Sequence, residues 1–245
     1  MLQTKKAIFN WSSGKDSALA LYKTFQNEEY QIEYLLTSVN EQFQRISMHG
    51  VRVALLKAQA ESIGLPLKIM QIPEMPTMEA YETVMTTTLS ELKAEGITHS
   101  IFGDIFLEDL RKYRESQLAK IGFEGVFPLW KVPTHDLIHE FIALGFKTMV
   151  VCVNEQYLDK SFVGRIIDEA FIKDLPENVD VCGENGEFHT FTFDGPIFSE
   201  PVTFEIGEVI YRKYEKPKNQ NPSNTACDTN ADDPFDYGFY YIDLI

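Results

Sequence analysis

The chain has 245 residues, 44% of them hydrophobic, enough for a full core and too many for global disorder. Its 37 Asp and Glu residues against 22 Lys and Arg leave a net charge of −15, and a surface this acidic repels phosphate backbones and anionic lipid, which argues against nucleic-acid or membrane partners. Three scattered cysteines, Cys152, Cys182 and Cys227, form no CxxC pair, so a zinc ribbon, an iron–sulfur site and a disulfide framework lack support, and the usage fits a reducing cytoplasm.

The N-terminal apolar run, Ala7–Phe9, is too short for a signal peptide, and no run approaches a membrane span. Up to residue 154, short β-rich runs alternate with longer amphipathic ones. Strands are expected at Ala7–Trp11, Ile32–Val39, Leu67–Ile72, Ser100–Phe102, Phe123–Phe127 and Lys147–Val153. Helices are expected at Asp16–Phe25, Val51–Ile63, from Met78 to the stop at Gly96, at Leu107–Ile121 and at Thr134–Leu144. This alternation predicts an α/β fold: a parallel sheet with helices on both faces, over residues 1–154.

The rhythm changes after Asn154. A helix is expected at Val163–Ile172, then strands at Val179–Glu184 and Glu187–Phe193 flanking Asn185-Gly186, a hairpin signal, and another strand at Val202–Tyr211. Residues 155–215 therefore read as a smaller C-terminal α+β domain. Residues 216–234 carry no aromatic and no aliphatic larger than Ala and read as a flexible linker. The terminal segment, 235–245, has five aromatics and is expected to dock, with a homodimer contact as the favoured partner surface.

Chemistry concentrates at Ser12-Ser13-Gly14-Lys15-Asp16-Ser17, between the first strand and the first helix. A parallel strand's carboxyl end feeding a helix N-terminus is where free N–H groups and the positive dipole end meet a ligand. Gly14 permits close backbone approach, the serines donate hydroxyls and Lys15 adds charge. Asp16 beside an anion site points to a bridging cation such as Mg²⁺. The alternative is a plain Ser-Asp helix cap. The loop is no Walker A sequence, and no GxGxxG follows the strand.

The segment instead resembles the PP-loop, SGGxDS, of ATP pyrophosphatases, with Ser13 at the first glycine. Further motifs follow in order: Met48-His49-Gly50-Val51-Arg52, then Gly103-Asp104-Ile105 with Arg111 and Arg114, then Pro128-Leu129-Trp130, and finally Cys182-Gly183-Glu184-Asn185-Gly186-Glu187-Phe188-His189-Thr190-Phe191. Together they resemble the diphthine–ammonia ligase family, from about Lys6 to Tyr211, with Asn185 and His189 leaning toward a bacterial branch. The resemblance implies an adenine nucleotide alpha hydrolase-like fold. It also implies ATP and Mg²⁺ as cofactors, and an acyl-adenylate formed on a carboxylate acceptor with loss of pyrophosphate and then displaced by ammonia. The acceptor would be protein-bound diphthine or a small metabolite acid.

On this reading Ser12, Ser13, Gly14, Lys15, Asp16, Ser17, His49, Gly103 and Asp104 bind the nucleotide, and Asp16 holds the metal. Arg111, Arg114, Glu184, Asn185, Gly186 and Glu187 face the substrate. Lys15, Asp16, Arg114, Glu187 and His189 carry the chemistry. Each has a plainer reading beside it. Arg114 sits within the apolar stripe Leu107, Leu110, Leu118, Ile121, where an arginine pairs or snorkels. Arg111 is one turn from Glu115. Glu187 and His189 share a strand face behind a hairpin turn. His135 and His139, four apart, read as a solvated helix face because no third ligand accompanies them. Two rival functions are a tRNA-modifying PP-loop enzyme, which the acidic charge and missing CxxC oppose, and a nucleotide-binding module without turnover, which has no need of both Lys15 and Asp16.

Overall fold

The computed structural model describes residues 4–46, 49–73, 77–213 and 237–245. The first half runs β1 (Lys5–Asn10), α1 (Lys15–Gln26), β2 (Tyr30–Asn40), β3 (Arg45–Ile46), α2 (Val53–Ile63), β4 (Leu67–Ile72), α3 (Met78–Ala94), β5 (His99–Ile101), α4 (Glu108–Lys120) and β6 (Glu124–Val126). β4, β2, β1, β5 and β6 lie side by side, all parallel. The two-residue β3 is an antiparallel extension on β2. Chain order runs outward from β1 through β2 to β4, then resumes on β1's other side with β5 and β6. The carboxyl ends of β1 and β5 therefore flank the topological switch point, where open α/β sheets form a ligand crevice.

The side-chain alternation of a strand supplies two cores. On β1, Ala7 and Phe9 face one side with Leu19 of α1 and Leu56 of α2, while Ile8 faces the other with Leu89 and Leu92 of α3 and Leu118 of α4. Helices thus cover both faces, as the βα rhythm predicts.

The second half contains α5 (Thr134–Ala143), β7 (Lys147–Asn154), a short 3-10 turn at Lys160–Phe162, α6 (Glu169–Asp174), β8 (Phe188–Asp194), β9 (Ile206–Lys213) and β10 (Gly238–Leu244). Four strands form one antiparallel sheet in the order β8-β7-β10-β9. Three expectations are corrected here. Lys147–Val153 is not the last strand of the parallel sheet but a central strand of this second one. Its near-unbroken apolar run, buried on both faces, reads the same in either setting.

The helix expected at Val163–Ile172 is split. Val163–Asp168 instead turns back along β7, with Gly164 and Ile167 donating to Val150 and Thr148, and α6 starts only where the Asp168 side chain accepts from the Phe171 amide. The strand at Val179–Glu184, and with it the hairpin, is replaced by consecutive turns with Gly183 and Gly186 at φ 70° and 84°.

The terminal aromatics dock on their own chain. Phe239 and Tyr241 pack with Cys152, and β10 runs between β7 and β9. A second subunit is not what seats them. The linker 216–234, with Phe235 and Asp236, and Met48 of the MHG motif lie outside the described residues.

Candidate active site

Ser12–Ser17 crosses from the end of β1 into α1. Ser13 adopts φ 71°, the left-handed conformation that a glycine takes without cost. Its carbonyl accepts from the Thr192 amide at 2.9 Å and from Gln59 Nε2 at 3.1 Å. Gln59 is fully buried and also donates to the Thr192 carbonyl at 2.5 Å, while its Oε1 accepts from Trp11 Nε1 at 2.9 Å. Inside the loop, the Ser17 hydroxyl donates to the Gly14 carbonyl at 2.9 Å. Gly14 has no room to grow: a Cβ there would lie 3.1 Å from His49 Cε1 and 3.2 Å from the Thr190 carbonyl. The loop is thus clamped between α2 and β8 of the second sheet.

Lys15, at the start of α1, is 3% exposed. Its amide donates to Thr190 Oγ1 at 3.0 Å. Its Nζ donates to Asp16 Oδ2 at 2.8 Å, contacts the Cys182 carbonyl, and stands 5.4 Å from the centre of the Phe188 ring. Burial works to lower this ammonium's pKa, but the carboxylates of Asp16 and Glu184 outweigh it and raise the pKa, so Lys15 stays charged. Asp16 is open on its other side, with 31% of its side chain exposed.

The opposite wall is the 180–187 turn. Glu187 is fully buried and spends its carboxylate on that turn, accepting from the Asp180 amide (3.0 Å), the Asn185 amide (2.8 Å) and Asn185 Nδ2 (3.0 Å). Asp180 Oδ1 accepts from the Cys182 and Glu184 amides. Glu184 points inward. Its Oε1 accepts from the Ile105 amide at 3.1 Å, and burial together with the Asp16 charge pushes its pKa up to about 7. Cys182 is buried and its thiol is pushed up, so it is no nucleophile here.

His49 and His189 lie against each other above the loop, tilted by 32°, with ring centroids 4.7 Å apart. His49 Nδ1 is 3.2 Å from the Thr190 carbonyl, and burial lowers its pKa to about 4. His189 is lowered as well, by burial first and then by His49 and Lys15. Both rings are neutral at pH 7, and His189 Nε2 is buried without a hydrogen-bond partner.

A cavity of about 160 Å³ joins these groups, lined by Ser12, Lys15, Asp16, His49, Glu184 and His189, with Gly186 at its rim. The other expected residues sit elsewhere. Gly103 packs on the start of α1, where a Cβ would come 3.0 Å from the Ser17 nitrogen, so helix packing demands this glycine. Asp104 accepts from Arg114 Nε at 2.7 Å, and burial raises its pKa against the pull of Arg114. Arg114 also covers the Phe102 ring at 4.4 Å and lines a separate, mainly apolar cavity of about 380 Å³ between α3 and α4.

Arg111 lines neither cavity. It lies over the adjoining rings of Phe127 and Trp130 and is paired with Glu115 at 2.8 Å, the plain i,i+4 reading. Glu187 and Asn185 likewise shape the turn and do not line the small cavity, so their substrate-facing expectation is corrected. Sequence reasoning missed Thr190, Thr192 and Gln59. The alternation in HTFTF signalled a polar strand face, but nothing local showed that it would close on the loop.

A doubly wound α/β sheet with a lysine-and-aspartate loop at its switch point, capped by a second sheet, defines a PP-loop-type protein. Comparison with known sequences gives the family. Residues 5–124 match the diphthamide synthase N-terminal domain and residues 133–217 the diphthamide synthase C-terminal domain, and the chain belongs to that family. It is 25% identical over 183 residues to the diphthine–ammonia ligase of Homo sapiens, covering 69% of this chain and 67% of that one. It is 29% identical over 110 residues to that of Bos taurus (42% and 41%) and 26% over 131 residues to that of Danio rerio (50% of each). The chain thus spans about two thirds of the human relative and half or less of the other two. Among solved structures, the U34-tRNA thiolase NcsA of Methanococcus maripaludis is 16% identical over 58% of each chain, with a TM-score of 0.36.

Proposed function

We propose that the chain is an ATP-dependent C–N ligase that adenylates a carboxylate, releases pyrophosphate and passes the acyl group to ammonia, with diphthine or a smaller acid as acceptor. The observation that carries this is the buried, charged Lys15 at the switch point, set beside the half-open Asp16. A terminal pyrophosphate held there leaves the α-phosphorus exposed to an incoming carboxylate. The reaction needs positioning and charge neutralisation more than a nucleophilic side chain, which fits a site whose only thiol is inert.

The donor set fits a divalent cation. Asp16 keeps part of its carboxylate open and Glu184, whose charge it repels, stands beside it, and hard oxygen donors of this kind suit Mg²⁺. Asp16 would hold it, and bound there it would neutralise charge on the departing pyrophosphate. Lys15 keeps its proton and binds. The neutral His49 and His189 offer a lone pair or an N–H in a buried wall, suited to orienting ammonia. Glu184, near pH 7, is placed to hold or release a proton. A tRNA substrate is disfavoured by the charge of −15 and the absence of CxxC.

The test supplies ATP, Mg²⁺, ammonium and a panel of carboxylate acceptors including diphthine on its carrier protein. AMP and pyrophosphate are expected, and Asp16→Asn and Lys15→Met are expected to abolish them in protein that melts cooperatively. ADP and orthophosphate as main products, lost in the same variants, would overturn the reading.

A further inference from the structure

His135 and His139, on the outer face of α5, take no part in the catalytic reading. One helical turn separates them, and their Nε2 atoms lie 3.1 Å apart, with ring centroids 4.3 Å apart. Their side chains are 71% and 36% exposed, open to a hydrated ion. His139 Nδ1 lies 3.1 Å from Glu169 Oε1, at the start of α6. A carboxylate only accepts, so His139 carries its proton on Nδ1 and presents a lone pair at Nε2. Orientation of one imidazole by a carboxylate on a different element is the arrangement found behind metal-ligating histidines.

The spacing can be tested against coordination geometry. Zn–N bonds of about 2.0–2.1 Å at a tetrahedral centre set two ligand nitrogens roughly 3.3 Å apart. The observed 3.1 Å is close to that before any ion has drawn the rings into place. We infer that His135 and His139 form a surface clamp for a borderline divalent transition ion, Zn²⁺, Ni²⁺ or Cu²⁺, with Glu169 as the residue that orients it. Binding requires His135 to carry its proton on Nδ1, the side on which Asp136 Oδ1 lies 3.9 Å away. That is a change of tautomer.

No group of three or more potential ligands is gathered among the described residues. The clamp therefore supplies two ligands and water the rest. Imidazole nitrogens select against Mg²⁺, which separates this site from the oxygen donors at Asp16.

Titration calorimetry of the untagged full chain with zinc chloride or nickel chloride, in excess Mg²⁺, tests the inference. A Cys227→Ser background removes the one thiol without a described setting. One equivalent is expected to bind. His139→Ala and His135→Ala should each weaken binding at least tenfold, and Glu169→Gln by about tenfold through loss of orientation. With Cu²⁺, electron paramagnetic resonance should show two nitrogen couplings. All three positions are partly or largely exposed, and melting curves check that the variants fold. No one-to-one binding, or binding indifferent to both alanine variants, would overturn the clamp and leave a plain hydrogen-bonded histidine pair.

Discussion

Ser13 holds a glycine's conformation without being one. Left-handed backbone costs an ordinary residue about 1–2 kcal/mol, and part of that returns as unfolded-state entropy when glycine is introduced. Its buried hydroxyl also has no partner. Ser13→Gly is therefore expected to stabilise the chain by about 1 kcal/mol in denaturant unfolding. Glu184 gives a second test. Its folded pKa of about 7 lies above the free value of 4.5, so ionising it costs stability that is lost as pH rises between those values. The melting temperature of Glu184→Gln relative to the parent should climb across that window and level off above it. At this scale the sequence showed the loop, Lys15 and Asp16, because their chemistry is local. It misplaced Glu187, whose partners come from a turn that no spacing rule reveals, and Arg111, for which the i,i+4 pairing with Glu115 was the right reading and only the Phe127 and Trp130 rings were out of sight.

Among the elements, α4 shows how an expectation changes once a partner is known. An arginine on an apolar stripe with no partner would tolerate leucine. Arg114 instead compensates Asp104, whose side chain is only 13% exposed. Arg114→Leu should cost about 1–3 kcal/mol by stranding that carboxylate, and adding Asp104→Asn should recover most of it. Additive losses in a double-mutant cycle would refute the coupling. The βα elements were legible through the parallel sheet because the apolar period and the glycines that end α2 and α3, Gly64 and Gly96, agree there. The 179–187 segment was not. Asn185-Gly186 is a sound hairpin signal, but three hydrogen bonds to the buried Glu187 carboxylate outweigh it and fold the segment into turns.

Across the whole molecule, Asp243 ties the two sheets together. It accepts from Arg45 of β3 and from Arg52 before α2, bracketing the His49 loop. These bonds, Arg52 foremost, hold its pKa down to about 2 against an ordinary 3.8. The stability from this depressed pKa is complete above 3.8 and lost as pH falls through about 2. Asp243→Asn should cost on the order of 1 kcal/mol at pH 7, after solvent screening, and flatten the acid limb of unfolding. A change of rhythm was legible, but only after residue 154, whereas the second sheet already includes β7. The sheet that owns β7 was not, since a strand buried on both faces does not announce its neighbours.

The strand order β8-β7-β10-β9 also sets a sequence of events in time. During synthesis β9 emerges before the only strand it pairs with among the described residues, and β10 must enter between it and β7. Until then β9, with Ile206, Val209 and Tyr211 exposed even in the finished fold, is an unpaired apolar ribbon on a growing chain. The pairing of β10 with β7 that then closes the sheet, Tyr241 against Cys152, spans a long sequence separation, so it should fold late and slowly. This interval, more than any weakness of the finished fold, is when the chain is most exposed to aggregation and to proteases.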